Sequence, residues 1–501
     1  MSFEPSRSVT VVALMRLKSC SFYRLVPVGA RVLFGELSFP LERIVFFSQP
    51  AGHGGTNTQS MVKTMNALPV IDPRAAAIDV GSEQMHVSIA GGEPKVFGST
   101  TAQLHALRDY LLGQGVRSVA MEATGIYWLC PYEVLEKGGL EVIMVNGKYV
   151  KNLPGRKTDM KDCQWQATLH AHGLLKGGFV PAEQIRRIQD YQRLRADHIA
   201  AAASCEQHMQ KALERMNIKF HDVISDLTGV SGLRVVRAIL AGERDPAVLL
   251  GFCDEQIQKK KASRVLESLV GTWKTEHLFA LRQALEAWEF YRRQISECDK
   301  ALEQVLQECT ADKPEPPDRL PTWGRRKKPN TPEINQLRQM LWKLCDGKDP
   351  TALPGVTDYT LLQLVSETGT DLGKHWKTEK QFTAWMGLAP GAKQSGKRQG
   401  NQKRSRNRAG RILCVVARSV GKAADRALGG FYRRLRARRG GLVANVALAR
   451  KLAQMYWRMV HGVAYVEHGL EKYQDRVAET EQRWLRKLAK KHGMTLQPKA
   501  A

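Results

Sequence analysis

Long apolar runs are missing from this 501-residue chain: none approaches the ~18 residues needed to span a bilayer, so the sequence offers no membrane-crossing helix. Paired cysteines are missing too. The nine cysteines, Cys20, Cys130, Cys163, Cys205, Cys253, Cys298, Cys309, Cys345 and Cys414, are scattered and never spaced C-x-x-C. That argues against a zinc ribbon and a disulfide framework and fits a reducing cytosol. Acidic residues are scarce beside basic ones, 49 Asp and Glu against 76 Lys and Arg, a formal charge of +27. A surplus of that size points to a polyanionic partner, most simply nucleic acid. The shortage of acid is sharpest over 391–440, where 16 Lys and Arg accompany one acid, Asp425. Apolar neighbours such as Ile412 with Leu413 and Val415 with Val416 mark that block as folded rather than as a solvated loop.

What is present divides the chain into segments. Residues 1–70 carry little structural signal. VTVVALM (9–15) has its charges, Arg16 and Lys18, after it rather than before it, unlike a signal peptide. The segment reads as a loosely attached arm or as the product of an upstream start codon, with Met61 or Met65 a more natural beginning. Residues 71–182 alternate strand-like and helix-like runs. AAAIDV, QMHVSIA and KVFGS predict three strands, QLHALRDYLL a helix, SVAMEA a strand, the run after TGIYW a helix, EVIMVN a strand, and DMKDCQWQATLHAHG (159–173) a helix. That order predicts an α/β domain with a mixed sheet. Residues 183–220 and 276–309 have steps of three and four that predict long helices, either a coiled-coil seam or an ordinary bundle pair, within a helical segment over 183–311. LTGVSGL and LPGVTDY form a weak repeat resembling a helix-hairpin-helix, or two helix ends with similar turns. The proline- and charge-rich stretch 312–333 reads as a linker, 334–470 as a mainly helical domain, and 471–501 as a basic helical tail.

One short stretch, GRKTDMKDC (155–163), sets Asp159 and Asp162 one helical turn apart among Arg156, Lys157 and Lys161. Acids at a helix start favour the macrodipole, which is the plain reading. Two further carboxylates give it a sharper one. Asp79 lies in a strand (AIDVGS) and Glu122 ends another (AMEATG), both in apolar contexts where an unpaired carboxylate is costly. Four carboxylates from two strands and a helix make a hard oxygen site for one or two divalent cations, Mg²⁺ or Mn²⁺. Two such ions suit the attacking and leaving oxygens of a phosphodiester, with the neighbouring basic residues orienting the backbone.

AIDVGS, AMEATG and GRKTDMKD together resemble the D, E, D-x-x-D signature of the RuvC-like, RNase H-fold domain of the IS-one-ten family of insertion-sequence transposases, including its IS-eleven-eleven branch. ALPGVTDYTLLQLVSETG (352–369), QFTAWMGLAPGAKQSGKRQG (381–400) and RNRAGRILCVVA (406–417) are similar to that family's C-terminal domain. The resemblance implies a DNA transposase or site-specific recombinase acting in the bacterial cytoplasm at the nucleoid. It implies that Ser395, after GLAP, attacks a DNA phosphodiester and forms a phosphoserine link. Rejoining then uses the energy kept in that link, without ATP. A serine hydroxyl needs a base or a metal to withdraw its proton, and a metal held by Asp79, Glu122, Asp159 and Asp162 would supply that activation where the two domains meet. Lys397, Arg398 and Arg411 are candidate phosphate ligands. The resemblance further implies a structured non-coding guide ("bridge") RNA and a homo-oligomer, dimer or tetramer, with sites shared between protomers. The chain departs from the family pattern at Lys397, where S-G-G is common, and at Arg406, before Asn407. With no RNP-type aromatic motif, contact with RNA would run through shape and phosphate.

Three rivals remain open at the level of sequence. A junction-resolvase-like nuclease would use the four carboxylates and water, leaving Ser395 idle. A sugar-kinase-like ATP binder would use D-V-G-S, but no further glycine-rich phosphate loop accompanies it. A non-catalytic DNA-binding protein would need only the basic surface. Ser405 is the nearest rival nucleophile; Ser419 falls in a helical run.

Overall fold

The computed structural model describes residues 69–123, 125–146, 159–317, 320–321, 330–390, 393–395, 398–400 and 405–496. The expected N-terminal arm, with Met61 and Met65, lies outside these residues up to position 68.

The α/β order read from the sequence is the order observed. β1 (Ala76–Val80), β2 (Gln84–Ile89), β3 (Lys95–Gly98), β4 (Ser118–Glu122) and β5 (Glu141–Val145) form one sheet in the order β3-β2-β1-β4-β5. β1, β2 and β3 pair antiparallel, while β4 runs parallel to β1 and β5 parallel to β4. Strand alternation sorts the side chains onto two faces. Ile78, Met85, Val87, Val119, Met121 and Met144 meet α1 (Thr101–Gly113) and α2 (Leu129–Lys137). α1 buries Leu104, Leu107 and Leu111 there, about 1.5–3 kcal/mol each. The other face carries Ala77, Ala120 and Val145 under Trp165 and Ala167 of α3 (Asp159–Ala171). Two alanines opposite a tryptophan let that helix lie close to the sheet.

α4 (Glu183–Arg215) and α9 (Thr275–Thr310) are the two long helices. They pack antiparallel, with Arg187 to Glu308 at 2.8 Å and Arg195 to Asp299 at 2.5 Å. The 33 residues of α4 span about 50 Å. The expected helix over 183–220 stops early. Asn217 takes φ 56° and the Ile218 amide returns to the Leu213 carbonyl, so the chain turns off the axis. Met216 and Phe220 are both buried in one core all the same, because Phe220 opens a separate one-turn helix, α5 (Phe220–Val223).

Each end of the pair belongs to a different core. At one end Met209, Leu213, Leu281 and Leu285 pack with α6 (Val230–Ala241), α7 (Pro246–Gly251) and α8 (Glu255–Ser268). At the other, Ile185, Ile188, Leu302, Val305 and Leu306 join the core of the C-terminal helices. Those are α10 (Leu337–Leu344), α11 (Asp358–Thr368), α12 (Leu372–His375), α13 (Glu379–Trp385), α14 (Arg408–Val420), α15 (Ala427–Arg439), α16 (Gly441–Val460) and α17 (Gly469–Lys491), with a small hairpin of β6 (Lys393–Ser395) and β7 (Arg398–Gly400) between α13 and α14. In both copies of the G-V repeat the helix after the turn is long, α6 or α11, and what precedes it is one helical turn, α5 or the 3₁₀ turn Pro350–Ala352. A mixed α/β sheet followed by a mostly helical remainder fits the RNase H-like expectation.

Candidate catalytic site

The four predicted acids sit on elements that meet at one end of the sheet. β1 and β4 pair as Ala76 with Val119, Ala77 with Ala120 and Ile78 with Met121. One more step brings Asp79 level with Glu122. Alternation puts both on the face of Ala77 and Ala120, the face that α3 covers. They lie at the carboxyl ends of their strands. The direction of α3 completes the arrangement. Its last turn lies at the amino ends of the strands: His170 Nε2 is 2.9 Å from Ser118 Oγ, and the Ala171 carbonyl accepts from the Ile71 and Asp72 amides. The helix therefore runs antiparallel to β1 and β4, and its first turn, Asp159 to Asp162, returns to the end where Asp79 and Glu122 stand.

Cys163 ties that first turn to β1 and β2. Its thiol donates to the His86 carbonyl at 2.9 Å and lies 3.3 Å from the Ala77 carbonyl. Burial pushes the thiol up to about 12, and the negative charge of Asp79 adds to the rise. His86 is the residue that pairs with Asp79 across β1 and β2, so the residue that follows Asp162 sits beside the backbone of that pair. Glu122 is 9% exposed and Asp79 half-buried, and neither is without a partner. Asp162 is half-buried on α3; Asp159 begins that helix, and its side chain lies outside what is described. Among the described residues, the trio whose ligand atoms all lie within 4.8 Å of one another is Glu214, His221 and Asp222, not Asp79, Glu122 and Asp162. The donor chemistry still fits a hard divalent ion, since every candidate ligand is a carboxylate oxygen.

Ser395 stands apart from the acids in sequence and rides on a hairpin. It ends β6 and pairs with Arg398, the first residue of β7. The serine is therefore a strand residue, the last of β6. The hairpin's neck is closed. Gly387 of GLAP has φ +72°, and a Cβ there would stand 2.4 Å from the Ser405 carbonyl oxygen. Asn407 caps α14 through the Gly410 amide at 2.9 Å and donates its Nδ2 to the Trp385 carbonyl at 3.3 Å. A Cβ on Gly410 would meet the Met386 carbonyl oxygen at 2.3 Å. Chain entering and leaving the hairpin is thus pinned at 385–388 and 405–410.

Lys161 is exposed in the first turn of α3, Arg411 is exposed on α14, and Arg398 is placed on β7 by its backbone. Arg156, Lys157 and Lys397 lie outside the described residues. Ser405 is exposed at the neck and Ser419 lies in α14, as the sequence predicts for it. Sequence reasoning missed two supports. Cys163 shows only as a cysteine in an amphipathic run. Asn407 does carry a readable signal, an Asn three residues before a Gly at a helix start, which is an N-cap pattern.

Two family models match the chain. One, described as Transposase and bearing the label DEDD_Tnp_IS110, matches residues 76–218. The other, Transposase IS116/IS110/IS902 family, matches residues 351–433. The first match contains Asp79, Glu122, Asp159 and Asp162; the second contains Ser395 and the neck of its hairpin. A comparison with curated proteins finds no match. No helix among the described residues is long and apolar enough to cross a membrane.

Proposed function

The chain belongs to the IS110 family of transposases, and on that premise we propose that it mobilises an insertion sequence by cutting and rejoining DNA through Ser395, with Asp79, Glu122, Asp159 and Asp162 as a divalent-metal site. It is a DNA transposase and hence a DNA-binding enzyme, and its DEDD domain implies dependence on a divalent cation. The observation that carries the finer reading is the antiparallel course of α3, which brings its first turn back to the strand ends of Asp79 and Glu122.

In this reading Ser395 Oγ attacks a scissile phosphorus. One P–O bond forms to the serine, one breaks to a deoxyribose oxygen, and that oxygen takes up a proton. The serine's own proton, made more acidic by the divalent cation that Asp79, Glu122, Asp159 and Asp162 would hold, passes to solvent. Attack of another strand's deoxyribose hydroxyl on the phosphoserine reverses the exchange. Phosphodiester bonds are conserved in number, so no nucleotide is consumed. Magnesium or manganese, two ions in this reading, would supply Lewis-acid stabilisation of the oxygens around phosphorus. The closed neck at Gly387 and Asn407 keeps the hairpin pointing one way. Lys161, Lys397, Arg398 and Arg411, with Arg156 and Lys157, would hold the DNA backbone. A non-coding guide RNA, a dimeric or tetrameric assembly that joins the serine of one protomer to the acids of another, the helix pair as a coiled-coil support and a place at the bacterial nucleoid complete the proposal.

The test is trapping of a covalent protein–DNA adduct on element-end DNA with Mg²⁺. Wild-type protein and Ser405→Ala form it, whereas Ser395→Ala and Glu122→Gln do not. Cleavage without adduct that persists in Ser395→Ala would instead assign the water-using nuclease.

A further inference from the structure

The start of α15, the second half of α16, the loop after it and the first turns of α17 frame a cavity of about 410 Å³. Leu428, Lys451, Met455, Met459, Tyr473 and Arg476 line it, among others. Ligand cavities run from about 300 to 1,000 Å³. None of the four acids lines it, nor does Ser395.

Helical spacing brings the lining together. Lys451, Met455 and Met459 follow at steps of four on α16, and Tyr473 and Arg476 stand three apart on α17. α15 lies close against α17: a Cβ on Gly430 would meet Leu470 Cδ1 at 2.6 Å and Tyr473 Cδ1 at 3.0 Å. Lys451 is half-buried in the middle of α16, and its Nζ stands 4.8 Å from the centre of the Phe431 ring. Among the described residues that nitrogen has no hydrogen bond and no ion pair, yet it is not one of the orphan atoms sealed from water. A ligand entering the cavity therefore reaches it. Burial and the positive charge of Arg476 hold its ammonium below the usual lysine value. Arg476 is exposed and likewise without an acid partner among the described residues. The other charged side chains of the lining are engaged. Arg458 is taken by Glu379 at 2.5 and 3.1 Å, and Glu467 by the Tyr465 hydroxyl at 2.6 Å and the Gly469 amide at 3.2 Å. Two neighbouring cations thus share a partly apolar cavity without a counter-charge of their own. A desolvated charge is costly unless paired, and an aromatic face offsets only part of that cost.

We propose that this cavity takes one unpaired nucleotide of a nucleic-acid strand, with its phosphate between Lys451 and Arg476 and its base against Tyr473. The phosphate supplies the missing negative charge. The flat apolar faces of a base suit a wall made of Leu428, Met455 and a half-buried tyrosine. A duplex keeps its bases paired and presents none of them to the cavity. α15 starts at the cavity with Ala427 and Leu428 and ends in Arg436, Arg438 and Arg439, a basic track for the phosphates that follow. The subsite rests on the nucleic-acid-handling reading above but not on Ser395 or the acids.

The experiment uses the full chain with a mixed single-stranded DNA 12-mer, the same 12-mer without bases, a matched RNA 12-mer and a DNA duplex, each followed by fluorescence anisotropy against salt. Lys451→Met with Arg476→Gln lowers the slope of log affinity against log salt by about 1.4 on a single strand, since each contact contributes roughly 0.7. The slope on the duplex stays as in wild type. Arg476→Gln alone, at an exposed position, lowers the single-strand slope by about 0.7, which reads the site even where Lys451→Met does not fold. Tyr473→Leu weakens the strand with bases about fivefold or more, a lost stacked base, and leaves the abasic strand unchanged. In the wild-type chain, saturating 12-mer protects Lys451 from acetylation by an N-hydroxysuccinimide ester. The strand on which these losses appear, DNA or RNA, names the source of the nucleotide. Losses on neither, equal slope changes on the duplex, Tyr473 effects that persist without bases, or undiminished acetylation of Lys451 overturn the subsite. Because adduct formation at Ser395 is read separately, a failed subsite and a failed nucleophile give different results.

Discussion

Removing the carboxylate of Asp299 should open the long helix pair at its centre. Arg195 and Asp299 are 1% and 3% exposed at the side chain. Asp299 accepts from Arg195 Nε at 2.5 Å and Nη2 at 3.2 Å, and from the Glu333 amide at 3.1 Å. Arg195 Nη1 already lacks a partner. Its guanidinium also stands 5.0 Å from the centre of the Tyr359 ring. Asp299→Ala therefore leaves a buried cation with only an aromatic face beside it, a loss of about 3–5 kcal/mol. Expressed as local opening, that is an increase of roughly 10² to several 10³, at about 1.4 kcal/mol per tenfold. Hydrogen exchange of amides in the central turns of α4 and α9 reads this directly, because opening there need not unfold the whole chain. Replacing both partners, Arg195→Met with Asp299→Leu, should restore most of the protection, since a buried ion pair gains little over apolar filling of similar volume. Protection in Asp299→Ala within tenfold of wild type would refute the reasoning, for it would mean that water reaches Arg195 freely.

Two further outcomes follow from single residues. Burial holds the His170 imidazole below its usual value of 6.5, so the unfolded chain takes up the proton first as pH falls. The contribution is full above about pH 6.5 and is lost as pH drops from there through the lowered folded value. Tm should fall more steeply below that pH in wild type than in His170→Gln, and parallel curves would contradict the burial argument. Gly387→Ala combines a left-handed backbone with a Cβ set 2.4 Å from the Ser405 carbonyl oxygen. It should abolish adduct formation and lower Tm, and an active, stable Gly387→Ala enzyme would show that the neck does not position Ser395.

The legible parts of the fold are those encoded by local period. Alternation in AAIDV and QMHVSI, and the three-and-four spacing of Leu104, Leu107 and Leu111, specify strands and helix without reference to distant residues. The strand positions of Asp79 and Glu122 were legible for a related reason: a charge inside an apolar strand conflicts with burial and so marks itself. The early end of α4 was not legible, because Met216 and Phe220 keep the helical spacing of buried residues while Asn217 turns the backbone between them. The hairpin bearing Ser395 was hidden as well. KQS and RQG carry no apolar alternation, and what fixes them is a neck built from Trp385, Gly387, Asn407 and Gly410. The partners on the two sides of that neck are about twenty residues apart, beyond the reach of a local pattern.

The helix pair also sets which parts of the chain lie near one another. Arg186, at the start of α4, is buried at 5% exposure, bonds Glu136 of α2 at 2.6 Å and the Pro181 carbonyl at 2.9 Å, and stacks over Tyr132. Just before it, Phe179 packs against Trp376 and Trp385 of the C-terminal domain. The sheet that carries the acids and the helices that carry the serine hairpin are therefore anchored to the same end of α4. Trp385 belongs to both systems, since its ring meets Phe179 and its carbonyl takes the Asn407 bond at the hairpin neck. The core of α5 to α8 lies at the far end of a helix about 50 Å long. Within one chain, Phe179 and Trp385 link the end of α4 next to the sheet to the neck of the hairpin, while the core of α5 to α8 sits at the other end of that helix.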